Sequence, residues 1–421
     1  MINRTNRLNA LYILVLLVGY IIMSFLPDIM GGANSRLFTV PFRGVVLLWS
    51  LYILFRGTMW KGHQTFPALQ WVFFFTFWAL YVFRMVYDLY YVGIKATVFP
   101  NTSDYLLNAV GVCIIPAAAI RYADNVDYAW VLKWFFRLLM LALLTSLFLN
   151  LSNPLNEEVT HNGQYNGSSA MNTISYGHYG VTFALLSMFL FTRSEGLYKK
   201  LFYIACFFFG IFIMYLAGSR SPLVALLFCL LFFQINNTGI VKGLLFIMLL
   251  TVPLIIFSDQ IIELLSGFGG SFINRVLSTI NNGNSSGRDL LYAEAIKEIL
   301  DSPIIGTSFL LQEGVGAGFY PHNMILESFM ATGFIGGLIL IRWILQGLFT
   351  SYRLISSSNP NAWVSVLFLQ YLIYAMFSQA IYNNASFWYY SILILSVTYT
   401  TAKQNITELY RSRAVVHQQL A

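Results

Sequence analysis

The stretch 321–349, PHNMILESFMATGFIGGLILIRWILQGLF, passes from a polar segment into an apolar one at its second and third residues. From residue 323 onward it is long enough to cross a bilayer, because a helical span needs about 20 mostly apolar residues. The residues before it, 259–321, form a polar interruption in an otherwise apolar chain. A folded segment of this length between two spans predicts a binding or catalytic site rather than a connector.

Composition defines the class of protein. Of 421 residues, 58% are hydrophobic and 10% are charged, and the mean hydropathy is +0.68. A soluble domain would have about a quarter of its residues charged, so we expect an all-α polytopic membrane protein. All three cysteines, Cys113, Cys206 and Cys229, lie in apolar runs, which argues against disulfides in exposed loops and against a structural zinc site.

Apolar runs of span length predict about twelve transmembrane helices. They lie near 8–26, 37–55, 66–87, 104–120, 128–150, 177–193, 200–217, 221–236, 242–258, 323–349, 363–381 and 386–402. The two runs that flank residues 218–221 could instead form one broken helix, which would leave about eleven spans. The first run is long enough to remain as a span rather than to serve as a cleaved signal.

The distribution of Lys and Arg predicts the orientation, because basic loop residues stay in the cytoplasm. Most of them fall in alternate loops and at the termini, including Arg4, Lys61, Lys199, Arg353 and Arg413. Both termini are therefore predicted to be cytoplasmic. The polar segments 151–176, here the small outer loop, and 259–321, here the large outer loop, are predicted to be outside. The net charge of +7 then indicates contact with membrane lipids, and the lack of a basic cluster argues against nucleic acid.

This topology divides the chain into three parts. Residues 1–258 hold nine predicted spans and the small outer loop, 259–321 form the large outer loop, and 322–421 hold three spans and a cytoplasmic tail. Within the large outer loop, 288–300 (RDLLYAEAIKEIL) predicts a helix that lies on the membrane or covers a cavity. Its apolar face has helical spacing and comprises Leu291, Ala295, Ile296 and Ile299. A weaker pattern of the same kind covers 260–280.

Glycines shape the end of the large outer loop. Gly314, Gly316 and Gly318 predict a mobile or tightly turned approach to His322. If the helix 288–300 is a lid, glycines on either side of it, such as Gly287, would act as its hinges.

Two arginines are candidates for binding an anion. Arg220 lies between two spans in AGSRSP (217–222), next to Ser219 and other small residues that allow a ligand to come close. An arginine there is costly unless something anionic needs it, although it could also extend to lipid headgroups. Arg288 begins a helix after a glycine turn, a position that suits a phosphate but also a solvated surface arginine.

His322 is the candidate acid–base residue. It starts an apolar helix at the predicted membrane surface, titrates near neutral pH, and is followed by Asn323 as a second hydrogen-bonding group. A role at the helix cap or the membrane interface is the alternative. Other candidate substrate-binding residues flank another span or lie in predicted exposed positions where a sugar could stack: His178, Tyr176, Tyr320, His161 and Tyr165. A structural role competes most strongly for the two histidines of this group.

Four further arginines lie in or near spans and are expected to be paired or to reach the interface rather than to be catalytic: Arg43, Arg84, Arg137 and Arg342. Arg84 and Asp88 are spaced to pair on one helix. No Asp-x-Asp, Walker loop, HExxH or CxxC motif occurs, so we predict no metal and no cofactor. Arginines without a metal suit a reaction whose leaving group is anionic.

The order of these motifs resembles the O-antigen ligase and O-antigen polymerase superfamily of bacterial membrane glycosyltransferases. The resemblance covers roughly 165–340 and follows four short motifs: Gly218-Ser219-Arg220-Ser221-Pro222, Gly287-Arg288, Pro303-Ile304-Ile305-Gly306, and His322-Asn323 with Gly333 and Gly336. The fold that it implies is GT-C-like. The activity that it implies is metal-independent, inverting transfer from an undecaprenyl-diphosphate-linked glycan at the periplasmic face of the inner membrane.

The resemblance also implies roles for the candidate residues. Arg220 and Arg288 match the family arginines and would bind the diphosphate, while His322 matches the family histidine and would orient or deprotonate the acceptor, or hold the diphosphate. The predicted substrate-binding set is Arg220, Arg288, Asn323, Ser219, Tyr320, His178 and Tyr176.

The identity of the acceptor stays open. A polymerase would add the chain to another lipid-linked repeat unit, whereas a ligase would transfer it to lipid A core. The small outer loop, as a second outer segment for a glycan, slightly favours a polymerase, and a partner that regulates chain length is compatible with that role. A lipid-linked oligosaccharide flippase would also have about twelve spans. The absence of internal symmetry in the sequence argues for an enzyme.

Overall fold

The computed structural model describes residues 4–30, 34–59, 68–152, 167–168, 171–239, 241–243, 245 and 287–398. Several predictions lie outside these residues: the span 242–258, most of the small outer loop with His161 and Tyr165, the pattern at 260–280, and the tail beyond 398. Within the described ranges the regular secondary structure is helical, and eight helices are long and apolar enough to cross a membrane. The predicted class, an all-α polytopic membrane protein, is confirmed.

Thirteen helices are numbered here in chain order among the described residues. They are α1 (Arg4–Ile29), α2 (Arg36–Met59), α3 (Ala68–Val86), α4 (Thr102–Leu106), α5 (Ile115–Ile120), α6 (Tyr128–Ser152), α7 (Thr173–Thr192), α8 (Leu197–Ala217), α9 (Arg220–Thr238), α10 (Arg288–Asp301), α11 (Met324–Ser356), α12 (Trp363–Phe377) and α13 (Ala385–Thr398). A π-helical turn, Tyr87–Val92, continues α3, and another, Leu107–Ile114, joins α4 to α5. Three apolar helices are shorter than a typical span. They are α9, whose apolar part is Arg220–Asn236, α12 (Trp363–Phe377) and α13 (Ala385–Thr398).

Helices α7 and α8 are antiparallel and pack through glycines. A Cβ added to Gly177, near the start of α7, would lie 3.1 Å from Cβ of Ala217, at the end of α8. Further along, a Cβ on Gly180 would lie 2.7 Å from the carbonyl oxygen of Gly210. Such contacts bring two backbones together, as small residues do between membrane helices.

The chain reverses direction between α8 and α9. Gly218 takes a φ of 63° at the end of α8, a conformation that glycine adopts without strain. Helix α9 then runs beside α12 in the opposite sense, since Ser221 contacts Ser378 and Cys229 contacts Val366. Helix α12 is also antiparallel to α7, since Ser175 contacts Tyr374 and Thr182 contacts Gln370. It follows that α9 is antiparallel to α8. The two form a helical hairpin rather than one broken helix.

The end of the large outer loop inserts into a break in α11. Gly333 has a φ of 61° inside this helix, and the backbone N–H of the next residue, Phe334, donates to the carbonyl of Pro303 at 2.8 Å. The N–H of Thr307 donates to the carbonyl of Met330 at 2.8 Å. The loop therefore hydrogen-bonds to helix backbone that the break leaves accessible.

Two carboxylates of α10 hold the rest of the loop. Glu294 accepts from the backbone N–H groups of Val315 and Gly316 at 2.9 and 3.1 Å. Glu298 accepts from the N–H of Gln312 at 2.7 Å and from the hydroxyl of Ser308 at 3.0 Å. This part of the large outer loop is thus a folded layer on α10.

The apolar face predicted for α10 is correct except at one position. Ala295 is buried against Leu311 and Met330, with Leu291 and Ile299 packed around them. Ile296, by contrast, is 48% exposed, because it lies about 100° around the helix from Ala295, outside the buried face. Of the two arrangements predicted for the glycine segment, the structure has the tight turn, with a φ of 72° at Gly314 and 88° at Gly318.

Candidate functional site

A cluster of polar and aromatic side chains surrounds the C-terminal end of α12. Tyr320 donates its hydroxyl proton to the carbonyl of Ser378 at 3.3 Å, and its ring centre lies 4.4 Å from that of His322. The guanidinium of Arg288 lies 5.9 Å from the ring centre of Phe377. We call Arg288, Tyr320, His322 and Ser378 the Arg288–His322 cluster. The structure therefore brings together two of the three predicted catalytic residues.

His322 occupies a strained position. Its φ of 56° lies in the left-handed region, which costs a residue with a Cβ of order 1 kcal/mol or more. Asn323, not His322, caps α11: its Oδ1 accepts from the N–H groups of Ile325 and Leu326 at 3.0 and 3.1 Å. The side-chain oxygen of Asn323 is thus used by the helix, and its predicted contact with substrate would have to come from the amide nitrogen.

The surroundings of His322 favour a neutral imidazole. Burial and, to a lesser degree, the positive charge of Arg288 lower its pKa below the ordinary value of 6.5, while the backbone of Ser378 acts in the opposite direction. Its Nδ1 is buried and has no hydrogen-bond partner among the described residues. A neutral imidazole with an available nitrogen can accept a proton near pH 7.

The third predicted catalytic residue, Arg220, approaches the same point from α9. It is the first residue of this helix and follows Ser219, the N-cap. The next residue, Ser221, places its hydroxyl 3.3 Å from that of Ser378. The N-terminal ends of α9, α10 and α11 therefore meet at the end of α12. Helix N-termini carry partial positive charge, and together with two arginines they favour an anion at this position.

His178 and Tyr176 lie deeper than the sequence suggested. His178 is 1% exposed; its Nε2 lies 3.3 Å from the hydroxyl of Ser221, and its ring centre lies 4.1 Å from that of Tyr374. Tyr176 is fully buried with its ring against Gly167. The prediction of an exposed Tyr176 is wrong, because this packing leaves no ring face for a sugar.

The contacts of Arg84, on α3, are those of a residue that holds the fold together. Arg84 donates to the carbonyls of Ile305, Gly306, Thr307 and Ala331 at 2.9–3.1 Å. It also pairs with Asp88 at 3.6 Å, as the spacing predicted. Asp88 in turn accepts from the N–H of Phe309 at 2.9 Å. These contacts fix the large outer loop to α3.

A cavity of about 220 Å³ lies beside the cluster and was not predicted. Its polar lining comprises Tyr20, Arg43, Asn172, Ser175, His178, Tyr179, Tyr371, Tyr374, Gln379, Asn383, Ser386 and Tyr389. These residues come from α1, α2, α7, α12 and the segment before and into α13, so no local motif could have indicated them. Only the presence of Arg43 in an apolar run hinted at a polar site there.

Residues 205–341 match the family model of O-antigen ligase. The chain matches no curated protein and no solved structure. The matched segment contains Arg220, Arg288 and His322, and it supports the O-antigen polymerase and ligase superfamily. The resemblance stated from the motifs is confirmed.

Proposed function

We propose that this chain is a glycosyltransferase that uses an undecaprenyl-diphosphate-linked glycan as donor at the periplasmic face of the bacterial inner membrane. One observation carries the proposal: the charge of Arg288 acts on a half-buried His322, whose pKa it lowers together with burial, where three helix N-termini meet, inside the segment that matches the O-antigen ligase family. The apolar helices support a membrane location, and the positions of Lys and Arg favour cytoplasmic termini.

The proposed reaction is a direct displacement. The oxygen of an acceptor hydroxyl attacks the anomeric carbon of the donor sugar and forms the new C–O bond. The bond from that carbon to the diphosphate oxygen breaks, and its electron pair leaves with undecaprenyl diphosphate. The hydroxyl proton passes to the imidazole of His322. Because attack and departure occur on opposite sides of the carbon, the anomeric configuration inverts.

Arg288 and Arg220 would neutralise the charge that develops on the diphosphate. Fixed positive groups aimed at a leaving anion can provide the electrostatic stabilisation that a metal supplies in other transferases. The helix N-termini beside them act in the same direction. This arrangement supports a metal-independent reaction.

The acceptor distinguishes two versions of the proposal. We favour a polymerase, in which another lipid-linked repeat unit is the acceptor, on the length and polarity of the small outer loop. The alternative is a ligase that transfers the glycan to lipid A core, which the description of the matching family favours. Both would use the same donor site.

Reconstitution separates these versions. The full chain in lipid nanodiscs is incubated with undecaprenyl-diphosphate-linked repeat units, with and without lipid A core, and the products are resolved by size. A ladder from donor alone indicates a polymerase, and a product that needs the core indicates a ligase. No product with either, together with donor movement between leaflets in proteoliposomes, would indicate a transporter and overturn the proposal.

Variants test the assigned residues. His322→Ala and Arg288→Ala are each expected to lower the transfer rate about 100-fold or more. Lys297→Ala is the matched control, because Lys297 is an exposed cation on the same helix that pairs with Glu313 at 3.1 Å; its rate should equal that of the wild type. Full activity in both site variants would overturn the assignment.

A further inference from the structure

The cavity and the Arg288–His322 cluster lie on two sides of one wall. His178 lines the cavity and contacts Ser221, which contacts Ser378 of the cluster at 3.3 Å. Tyr374 and Gln379 line the same side of the cavity. The cavity therefore adjoins the cluster, and this one layer of side chains separates the two.

Arg43 is the charged residue among the described residues that line this cavity, and contacts with its neighbours hold it in place. Its Nη1 donates to Oδ1 of Asn108 at 3.2 Å, and the Nδ2 of Asn108 donates to the carbonyl of Asp104 at 2.7 Å. The amide of Asn108 is thus oriented on both sides. The guanidinium also lies 5.6 Å from the ring centre of Tyr20, a cation–π distance.

The positive charge of Arg43 favours the binding of an anion in the cavity. No carboxylate lies within ion-pairing distance of it in the part of the chain that the structure describes. An arginine in an apolar helix is costly and marks a substrate site unless it is paired. Asn108 uses one of the five N–H donors of the guanidinium, which leaves donors for a carboxylate in the cavity.

The remaining lining suits a hydroxyl-rich ring. The hydroxyl of Tyr374 is fixed by Ser175 Oγ at 2.7 Å and by Nε2 of Gln379 at 2.8 Å, so the polar atoms are preorganised. Tyr20 and Tyr371 add aromatic surface of the kind that stacks on sugars. With about 220 Å³, the cavity is smaller than sites for drug-sized ligands, roughly 300–1,000 Å³, and is the size for one ring rather than an oligosaccharide.

We propose that this cavity binds one sugar ring of the glycan substrate and that Arg43 binds a carboxylate on that ring. The substrate would then be a glycan that contains an acidic sugar. The ring of either the donor or the acceptor satisfies this chemistry. The proposal rests on the proposed function for the source of the sugar, whereas binding itself needs no turnover.

Saturation-transfer difference NMR on the full chain in nanodiscs tests this inference with D-glucuronate and D-glucose as probes. We expect glucuronate to bind about tenfold more tightly than glucose, which corresponds to one favourable interaction of about 1.4 kcal/mol. Arg43→Met should remove this preference, and Arg43→Lys should keep part of it. Arg137→Met is the matched control, since Arg137 is another span arginine, which lies against Trp134 and not in the cavity.

Each contrary outcome overturns a defined part of the inference. Binding of neither sugar, or equal binding of both in wild type, excludes the acidic ring site. Loss of glucuronate binding in Arg288→Ala would place the ring in the cluster instead. Thermal unfolding of each variant separates lost binding from lost fold.

Transfer assays distinguish donor from acceptor and keep the two proposals separate. If the cavity holds the acceptor ring, Arg43→Met raises the KM for acceptor and not for donor; the reverse holds for the donor ring. Glucuronate binding without any transfer would overturn the proposed function and leave the cavity assignment intact. Transfer without sugar binding would overturn the cavity assignment and leave the proposed function intact.

Discussion

Arg84 and His322 both lie where the large outer loop meets the helices, but their polar atoms are used in different ways. Arg84 donates to four backbone carbonyls and pairs with Asp88. His322 has a strained backbone, and its buried Nδ1 has no partner among the described residues. Strained backbone conformations are common at functional sites, and a ring nitrogen without a partner in the protein can bind a substrate. The comparison separates a residue that holds the fold from one that is available to a substrate.

If Arg84 holds the fold and His322 does not, substitution of Arg84 should have the largest effect on the free energy of unfolding. Arg84→Met leaves Asp88 without its ion-pair partner and several loop carbonyls without their donors, and removing one partner of a largely buried ion pair costs about 3–5 kcal/mol. We expect a drop of this size in the free energy of unfolding, measured by steric trapping in bicelles. Arg342→Met is the control, because Arg342 is exposed, hydrogen-bonds to Gln346 on its own helix and otherwise lies over the ring of Phe73. Equal stability of the two variants would contradict the structural role.

A smaller effect is predicted for the docking of α10. Glu298 is 9% exposed, and burial raises its pKa, partly offset by hydrogen bonds from Gln312 and Ser308. Glu298→Gln replaces one acceptor oxygen by a donor that faces other donors, which costs about 1–3 kcal/mol. Hydrogen exchange of the α10 amides should therefore be about 5- to 150-fold faster. The exposed Glu313→Gln should leave it unchanged, and unchanged exchange in Glu298→Gln would show that α10 is held by other contacts.

The spans were predictable because a bilayer requires a fixed apolar length. The run predicted at 128–150 agrees with the apolar part of α6, Tyr128–Leu149. The run predicted at 200–217 lies within α8, Leu197–Ala217. The run predicted at 363–381 extends past the helix, which ends at Phe377. Its last residues instead form the turn whose backbone contacts Tyr320. A hydropathy window averages over many residues, so it does not locate the end of a helix to within a few positions.

The site was predictable only in part. Arg288 and His322 lie beside glycine or proline at the ends of polar segments, where function is often found. The position of Tyr176 near a predicted span end indicated exposure, but tertiary contact with Gly167 buries it. The Arg43 cavity is built from helices far apart in sequence, and a single arginine in an apolar run equally fits a residue that reaches the interface. Sequence periodicity carries no information on such long-range contacts.

The smallest predicted effect concerns the pKa of His322. In wild type it should lie below 6.5, and Arg288→Ala should raise it towards that value, because a neighbouring positive charge disfavours imidazolium. Carbon-13 NMR of labelled histidine measures this shift, with the resonance assigned by His322→Gln and with Lys297→Ala as a control that should not move it. Since folding lowers this pKa, the unfolded state binds more protons, and this contribution to stability is lost as the pH falls through about 6.5. A pKa above 6.5 in wild type would contradict the neutral base on which the comparison with Arg84 depends.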